Sequence, residues 1–371
     1  MFCKLGLSGM RSVCQNTSDI STTETDMNQS VSEHVSEPLE VQNASTETLS
    51  LEEILQGLQA YPEDSGLPRQ VLAGAIARRD EVTPHLLAWI GQAYGPDADQ
   101  DGLKVNFALY LLSQFSEPKA CPLILQLLRL PDDELDMLLG DGLTEDGRRY
   151  LISTYDGNWE ALVELALDEA ANEFSRSAAI GAMSGLLRTG RVEHKQVIMT
   201  WKDLLQRWRE TDQPDRQEVP MSGLVIEVAR HRLSELRQDL EAALASESFD
   251  PMMISSEEVI QRLDSQEDDP GFFDNWHHYR PITDVFAEFG KWQFFQTPAE
   301  RIEAAARLEE MMARYRENLA RENPELARKL FDPQLNDPFS AWPQGKAKRA
   351  NKSMKQKRKQ QSKSRKQNRR K

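Results

Sequence analysis

Apolar side chains recur at helical spacing through most of the chain, and this pattern constrains the fold more than any other feature. From Leu51 to about Leu263, apolar stripes of helical period are broken roughly every 12 to 18 residues by clusters of Pro, Gly or Asp. The alternation with period two that is typical of a half-buried strand does not extend over a strand's length here. The sequence therefore predicts an all-α fold.

The helices come as similar pairs. Two units align at an offset of 39 residues, and a third unit follows them. The matching apolar positions are Leu123, Ile124 and Leu128, then Leu162, Val163 and Leu167, then Val197, Ile198, Leu204 and Leu205. A helix pair that repeats about every 35 to 45 residues is typical of a HEAT-like α-solenoid, in which each pair buries its apolar face against its neighbours.

Composition divides the chain into four predicted segments. Residues 1–48 are rich in Ser, Thr, Glu, Asn and Gln without apolar period, which predicts a disordered leader. Residues 49–265 form the predicted HEAT-like repeat domain. Residues 266–330 hold an aromatic-rich segment and an amphipathic helix from about Pro298 to Leu319, and residues 331–371 are a predicted disordered basic tail. The apolar face of that amphipathic helix consists of Ile302, Ala305, Leu308, Met311, Met312 and Tyr315.

Nine aromatic residues lie within 24 positions after the repeats. They are Phe272, Phe273, Trp276, Tyr279, Phe286, Phe289, Trp292, Phe294 and Phe295. Either they cover the open end of the solenoid as a cap, or some of them form an exposed patch that docks a partner. A cap is the favoured interpretation, since an open end of a repeat array has to be covered; as docking residues we consider Trp276, Tyr279 and Trp292.

The net charge of −15 hides a strong asymmetry. The C-terminal run 346–371 contains 14 of the 45 basic residues and none of the 60 acidic ones, so the rest of the chain carries 31 basic against 60 acidic residues, or −29. The basic residues are Lys346, Lys348, Arg349, Lys352, Lys355, Lys357, Arg358, Lys359, Lys363, Arg365, Lys366, Arg369, Arg370 and Lys371. Such a run favours salt-sensitive, sequence-independent binding of a polyanion such as RNA, DNA or a ribosome surface. A solubilising tail, or one that folds back on the acidic body, is an equally weighted alternative.

The composition also predicts a cytoplasmic protein without a membrane span. Charged residues make up 28% of the chain, and no uninterrupted apolar run approaches membrane-spanning length. The three cysteines, Cys3, Cys14 and Cys121, are too few for a disulfide framework, and the first 15 residues lack a signal-peptide core.

A series of turn motifs resembles the bacterial family called domain of unknown function 1186. The motifs are Phe107 to Phe115, Leu138-Leu139-Gly140-Asp141 with Thr144-Glu145-Asp146, Tyr155-Asp156-Gly157-Asn158, Arg176-Ser177-Ala178-Ala179, and Gly190 to Val197. The resemblance covers roughly Leu51 to Leu263. It implies a HEAT-like helical fold in a cytoplasmic bacterial protein and supplies no activity or catalytic residues.

Members of that family often end in a zinc motif similar to that of the SecA translocase, N-D-P-C-P-C-G-S-G-K-K. Asn336-Asp337-Pro338 and Gly345-Lys346 resemble its two ends. Phe339, Ser340, Ala341 and Trp342 stand where the first thiolate pair belongs, and no cysteine follows. Because a closed zinc site needs about four N or S ligands, we expect no metal there.

Other candidate sites have simpler interpretations. Asp97, Asp99 and Asp101 match the start of a calcium loop, but the twelfth position is Ala108 instead of Glu, which favours a surface turn. Thr144 is expected to cap a helix whose first turn carries Glu145.

Two tryptophans and five histidines also have structural interpretations. Trp201 and Trp208 could form a basic-aromatic RNA-binding face, but core packing is favoured, because they share a stripe with apolar residues. The histidines His85, His194, His231, His277 and His278 have no metal spacing. Catalytic motifs are also missing: Gly181, Ser184 and Gly185 have the wrong spacing for a nucleophile elbow.

The sequence thus favours a non-enzymatic scaffold without cofactor, whose grooves between helix pairs hold a protein partner. The alternative is a nucleic-acid or ribosome-associated factor in which the basic tail is primary. An enzyme would need a polar cleft that gathers carboxylates or histidines from several repeats.

Overall fold

The computed structural model describes residues 49–61, 66–94, 101–269, 271–322 and 324–331. These residues form helices joined by short turns, with no strand among them, so the predicted all-α fold is confirmed. The predicted leader lies outside the described residues, as does the basic tail except for its first residue, Phe331.

The helices are numbered in chain order. They are α1 (Leu51–Gln59), α2 (Arg69–Ala77), α3 (Arg79–Gln92), α4 (Gly102–Gln114), α5 (Ala120–Leu127), α6 (Asp132–Leu139), α7 (Gly142–Thr154), α8 (Trp159–Leu167), α9 (Glu173–Arg188), α10 (His194–Arg209), α11 (Glu218–Arg230), α12 (Arg237–Leu244), α13 (Ser256–Asp264), α14 (Val285–Phe289), α15 (Pro298–Glu322) and α16 (Pro324–Phe331). Short 3₁₀ turns occur at Pro214–Arg216, Ser234–Leu236, His277–Tyr279 and Gln293–Phe295.

Local sequence signals set many of the helix ends. Ser50 begins α1 and Ser255 begins α13 with a capping box, in which the serine side chain accepts from the backbone N–H three residues on and the glutamate there accepts from the serine N–H. Asn158 caps α8. Gly140 separates α6 from α7 with φ +50°, a conformation that favours glycine.

The middle of the chain packs in two rows of helices. In the inner row, α4 contacts α7, α7 contacts α9, α9 contacts α11, and α11 contacts α13. In the outer row, α3 contacts α5, α5 contacts α8, and α10 contacts α12. The inner helices α4, α7, α9 and α11 are buried over most of their circumference, as the nearly all-round apolar sequence of α4 requires.

Contacts between neighbouring helix pairs recur at a nearly constant sequence separation. Five hydrogen bonds between side chains join residues 39 to 43 positions apart: Arg129 with Asp168, Asn172 with Asp132, Trp159 with Thr200, Arg176 with Gln217, and Ser184 with Glu227. The apolar positions that align in the sequence lie on α5, α8 and α10, all in the outer row. This layering agrees with stacked pairs, while the assignment to HEAT-like repeats stays a prediction.

Helix α15 matches the predicted amphipathic helix and ends three residues later, at Glu322. Its apolar residues are largely exposed, and α16 packs back on its C-terminal half, where the Tyr315 and Phe331 ring centres are 6.1 Å apart. Across the described ranges, no helix combines the length and the apolar character that a membrane span requires.

Candidate functional site

The aromatic segment, Phe272 to Phe295, lies along the inner helices and joins distant parts of the chain. The Ile282 backbone N–H donates to Ser153 Oγ on α7 at 2.9 Å, and the Val285 N–H donates to Gln114 Oε1 on α4 at 2.7 Å. Near its end, the Phe295 ring centre lies 6.3 Å from that of Tyr61, beyond α1. The segment therefore runs back from the last helices of the inner row towards the first ones. We expected the segment to cap the open end of the array. This expectation was wrong, because the segment packs along the inner helices α7 and α4.

A buried ionic cluster holds the second half of this segment against α7. Arg149 donates to Asp146 Oδ1 at 2.6 Å and to Glu288 Oε1 at 2.5 Å, and its Nε donates to the Arg280 carbonyl oxygen at 3.0 Å. The Tyr110 hydroxyl donates to Asp146 Oδ2 at 2.5 Å. Burial raises the pKa of Glu288, but hydrogen bonds from Arg149 and Lys291 and their charges outweigh it, and the net shift is downward.

A second buried cluster holds the first half of the segment against α9 and α11. Glu227 accepts hydrogen bonds from Ser184 Oγ at 2.6 Å, from Arg230 Nε at 3.1 Å, and from the Tyr279 hydroxyl. Arg230 also donates to the carbonyl oxygens of Phe272 and Phe273. Burial and the charge of Glu227 raise the pKa of Tyr279, so its hydroxyl keeps its proton and remains a donor.

Ser184, His231 and Glu227 resemble a nucleophilic triad in composition but not in arrangement. Ser184 has one hydroxyl proton, and the Glu227 carboxylate can only accept it, so His231 Nε2, 2.8 Å from Ser184 Oγ, must donate. A catalytic imidazole would instead accept the serine proton. Ser184 is fully buried, and burial lowers the pKa of His231 to about 4. This cluster therefore stabilises packing and offers no nucleophile to a substrate.

Two open depressions lie on the described surface. One of about 380 Å³ lies between Gly290 and the start of α15, and another of about 480 Å³ lies between Arg209 and Ser248. Neither is lined by Ser184, Glu227 or His231. Within the described residues, no three His, Cys, Asp or Glu side chains are placed to hold a metal ion.

The tentative docking residues differ in their surroundings. Tyr279 is 5% exposed and donates to Glu227, so it is a core residue and not a surface contact. Trp276 and Trp292 are half-buried and pack against the core. The centre of the Trp276 ring lies 4.2 Å from the Arg188 guanidinium and 5.1 Å from the centre of the His231 ring.

Other predicted positions are resolved as follows. Trp201 and Trp208 are buried, which confirms their assignment to the core. Thr144 does not cap a helix: α7 begins at Gly142, and the Thr144 hydroxyl donates to the Asp141 carbonyl oxygen within the first turn. Asp101 caps α4 through a bond from the Lys104 N–H. Asp97, Asp99, the segment that resembles a zinc motif, and the basic tail from Lys346 to Lys371 lie outside the described residues.

Sequence reasoning missed both buried clusters. Each is built on a carboxylate followed three positions later by arginine on an inner helix, Asp146 with Arg149 and Glu227 with Arg230. This spacing recurs in the sequence and could have indicated equivalent positions of two repeats. Their contacts in the aromatic segment lie 42 to 139 residues away, which no local pattern indicates.

Comparison with known proteins identifies the family. The model of a family described as protein of unknown function, DUF1186, matches residues 49–296. The chain therefore belongs to this family. The match extends to the end of the aromatic segment, about thirty residues past the predicted boundary at 265, in agreement with the packing of that segment on the helices.

Two chlamydial proteins are similar to this chain. An uncharacterized protein of Chlamydia muridarum (strain MoPn / Nigg) is 28% identical over 245 residues, which covers 65% of this chain and 96% of that protein. An uncharacterized protein of Chlamydia trachomatis serovar D is 28% identical over 250 residues, covering 66% and 96%. No solved structure matches the chain significantly.

Proposed function

We propose that the protein is a non-enzymatic, cytoplasmic interaction scaffold that holds a protein partner on α15. The observation that carries this proposal is the exposure of large apolar side chains on this helix: Ile302 is 71% exposed, Leu308 54% and Met311 54%. Contiguous exposed apolar side chains are typical of surfaces that bind other proteins.

The packing of α15 supports the same function. Most of its 25 residues are exposed, and within the described chain it pairs mainly with the short α16. A single helix in water is only marginally stable, so a binding partner would contribute much of its stability. An amphipathic helix that lays its apolar face in a partner's groove is a common mode of recognition.

The inner helices offer less to a partner than the sequence suggested. Arg149, Arg230 and the aromatic rings bind the chain's own aromatic segment along that face. The buried acidic and hydroxyl groups there bond to one another, which favours a structural role over catalysis.

Site-specific photo-crosslinking in the cells that express the protein tests the proposal. A benzophenone side chain at Leu308 should give one dominant protein adduct, and the substitution Met311→Glu should weaken it. The matched control carries the benzophenone at Arg314, whose side chain is 75% exposed and lies off the apolar face. Equal adducts from both positions, or no adduct at Leu308, would contradict a docking role for α15.

The second candidate function is polyanion binding by the basic tail, favoured by the run of 14 basic residues without an acidic one. Deletion of Lys346 to Lys371 separates the two. The scaffold keeps its α15 adduct after deletion, whereas a tail-driven factor loses its salt-sensitive, nuclease-sensitive association.

A further inference from the structure

Three arginine and two histidine side chains gather on the solvent side of the aromatic segment, around residues 276–280. We call Arg148, Arg188, His277, His278 and Arg280 the cationic patch. Arg188 is exposed and lies over Trp276, and Arg148 donates to the Tyr279 hydroxyl at 3.1 Å. The exposed rings of His277 and His278 have centres 3.4 Å apart. Residues 276–280 thus bring side chains of the segment together with Arg148 of α7 and Arg188 of α9.

The three arginines of the patch have no carboxylate partner within the described chain. The carboxylates beneath them are already paired: Asp146 with Arg149, Glu227 with Arg230, and Glu288 with Arg149 and Lys291. Glu145, three residues before Arg148, is an exposed carboxylate; partial burial and the charges of Asp146 and Asp141 raise its pKa, and the charge of Lys291 opposes this shift. The patch is therefore a local positive surface on a body that carries −29 outside the tail.

The histidines report the same positive potential. Partial burial lowers the pKa of His278 to about 4, and His277 and Arg148 lower it further by charge repulsion. Burial also lowers the pKa of His277, with added repulsion from Arg149, Lys291 and Arg280. Both rings are therefore neutral at pH 7, and they present flat surfaces beside fixed guanidinium charges.

We propose that the cationic patch binds single-stranded nucleic acid. Guanidinium groups pair with phosphate oxygens in a bidentate manner. Bases stack on aromatic rings and on guanidinium planes, and the patch offers His277, His278, and Arg188 beside the half-buried Trp276. The acidic side chains of a polypeptide would use the charges but carry no aromatic ring to stack on the histidines, so the combination favours a polynucleotide. The site goes beyond the scaffold function and uses none of the α15 residues.

Fluorescence anisotropy with a labelled twelve-nucleotide oligouridylate tests this site on the full chain. Arg188→Glu and Arg280→Glu should each weaken binding about tenfold and reduce the slope of log affinity against log salt by about one, since each arginine contacts about one phosphate. The controls Arg207→Glu and Arg314→Glu make the same charge change at exposed positions on α10 and α15. Because both lie outside the patch, they should change the affinity less than about threefold. The tail is present in every variant, so its contribution to binding is the same throughout.

Two results would overturn the proposal. If the controls weaken binding as much as the patch variants do, the tail and net charge explain the affinity. If twelve-residue polyglutamate competes as well as the oligonucleotide and depends equally on Arg188 and Arg280, the patch is a site for acidic polypeptides. Circular dichroism of each variant, compared with the unaltered protein, checks that the fold is retained; if Arg188→Glu perturbs packing at Trp276, the comparison of Arg280→Glu with the controls decides.

Discussion

Replacement of Phe289 by alanine tests whether the aromatic segment is part of the folded core. The Phe289 ring is fully buried, and its centre lies 5.1 Å from that of Phe107, 4.6 Å from Tyr110 and 5.3 Å from Phe295. Removal of such a ring costs the transfer free energy of the lost atoms and leaves a cavity, together about 3–5 kcal/mol. We therefore expect the free energy of unfolding to fall by about 4 kcal/mol.

The matched control is Phe272→Ala at the other end of the same segment. Phe272 is 46% exposed, so its truncation should cost only about 1 kcal/mol. Urea unfolding followed by circular dichroism measures both values. Amide hydrogen exchange at Ile282 and Val285, whose N–H groups bond to α7 and α4, reports whether the segment opens locally. Equal losses in the two variants, or unchanged protection of these amides in Phe289→Ala, would refute the account of the segment as core.

Three further predictions concern the helices against which the segment packs, and Gly91→Ala on α3 is the matched control for one of them. Arg149→Met leaves the buried Asp146 without its cation and removes one of the two cations of Glu288, which keeps Lys291. The free energy of unfolding should fall by about 3–5 kcal/mol in urea titrations, and a loss below about 1 kcal/mol would contradict the burial of the Asp146–Arg149 pair. Gly185→Ala places a methyl group against the Ile152 side chain and should destabilise the folded protein by about 1–3 kcal/mol. Gly91→Ala has open space around the added methyl group and should stabilise the protein by about 0.5–1 kcal/mol. The melting temperatures of the two variants should therefore shift in opposite directions. Burial lowers the pKa of His231 from 6.5 to about 4. Between these two pH values the imidazole is protonated in the unfolded chain but neutral in the folded one, so the free energy of unfolding falls by on the order of 1–3 kcal/mol as the pH drops from 7 to 4. His231→Gln should flatten that drop between pH 7 and pH 4, and an unchanged pH dependence would show that His231 is not buried neutral.

Helix type and core positions could be predicted because they depend on local pattern. The apolar stripe of α10 correctly predicted that Trp201 and Trp208 are core residues. The amphipathic period of α15 predicted the C-terminal end of that helix to within three residues. Thr144 was misassigned because the glycine turn lets α7 begin earlier, so that Thr144 bonds back within the first turn.

The clusters around Glu227 and Asp146 could not be predicted, for a physical reason. Their members are joined by the stacking of helix pairs and by the return of the aromatic segment, with partners such as Ser184 and Glu227 43 positions apart. Periodicity shows that a face is buried, but it does not show which distant segment covers it. The density of aromatic residues indicated that the segment packs somewhere, without indicating where.

The arginines that bind the aromatic segment act on its main chain. Arg149 donates to the carbonyl oxygen of residue 280 and Arg230 to those of residues 272 and 273. Arg262 donates in the same way to the carbonyl oxygen of residue 267, just before the segment. Every amino acid carries this oxygen, so side chains at the four accepting positions are free to vary during evolution without loss of these bonds. The three donors have no such latitude, and we expect sequence drift within the family to spare them while it alters exposed accepting positions such as Glu267 and Phe272.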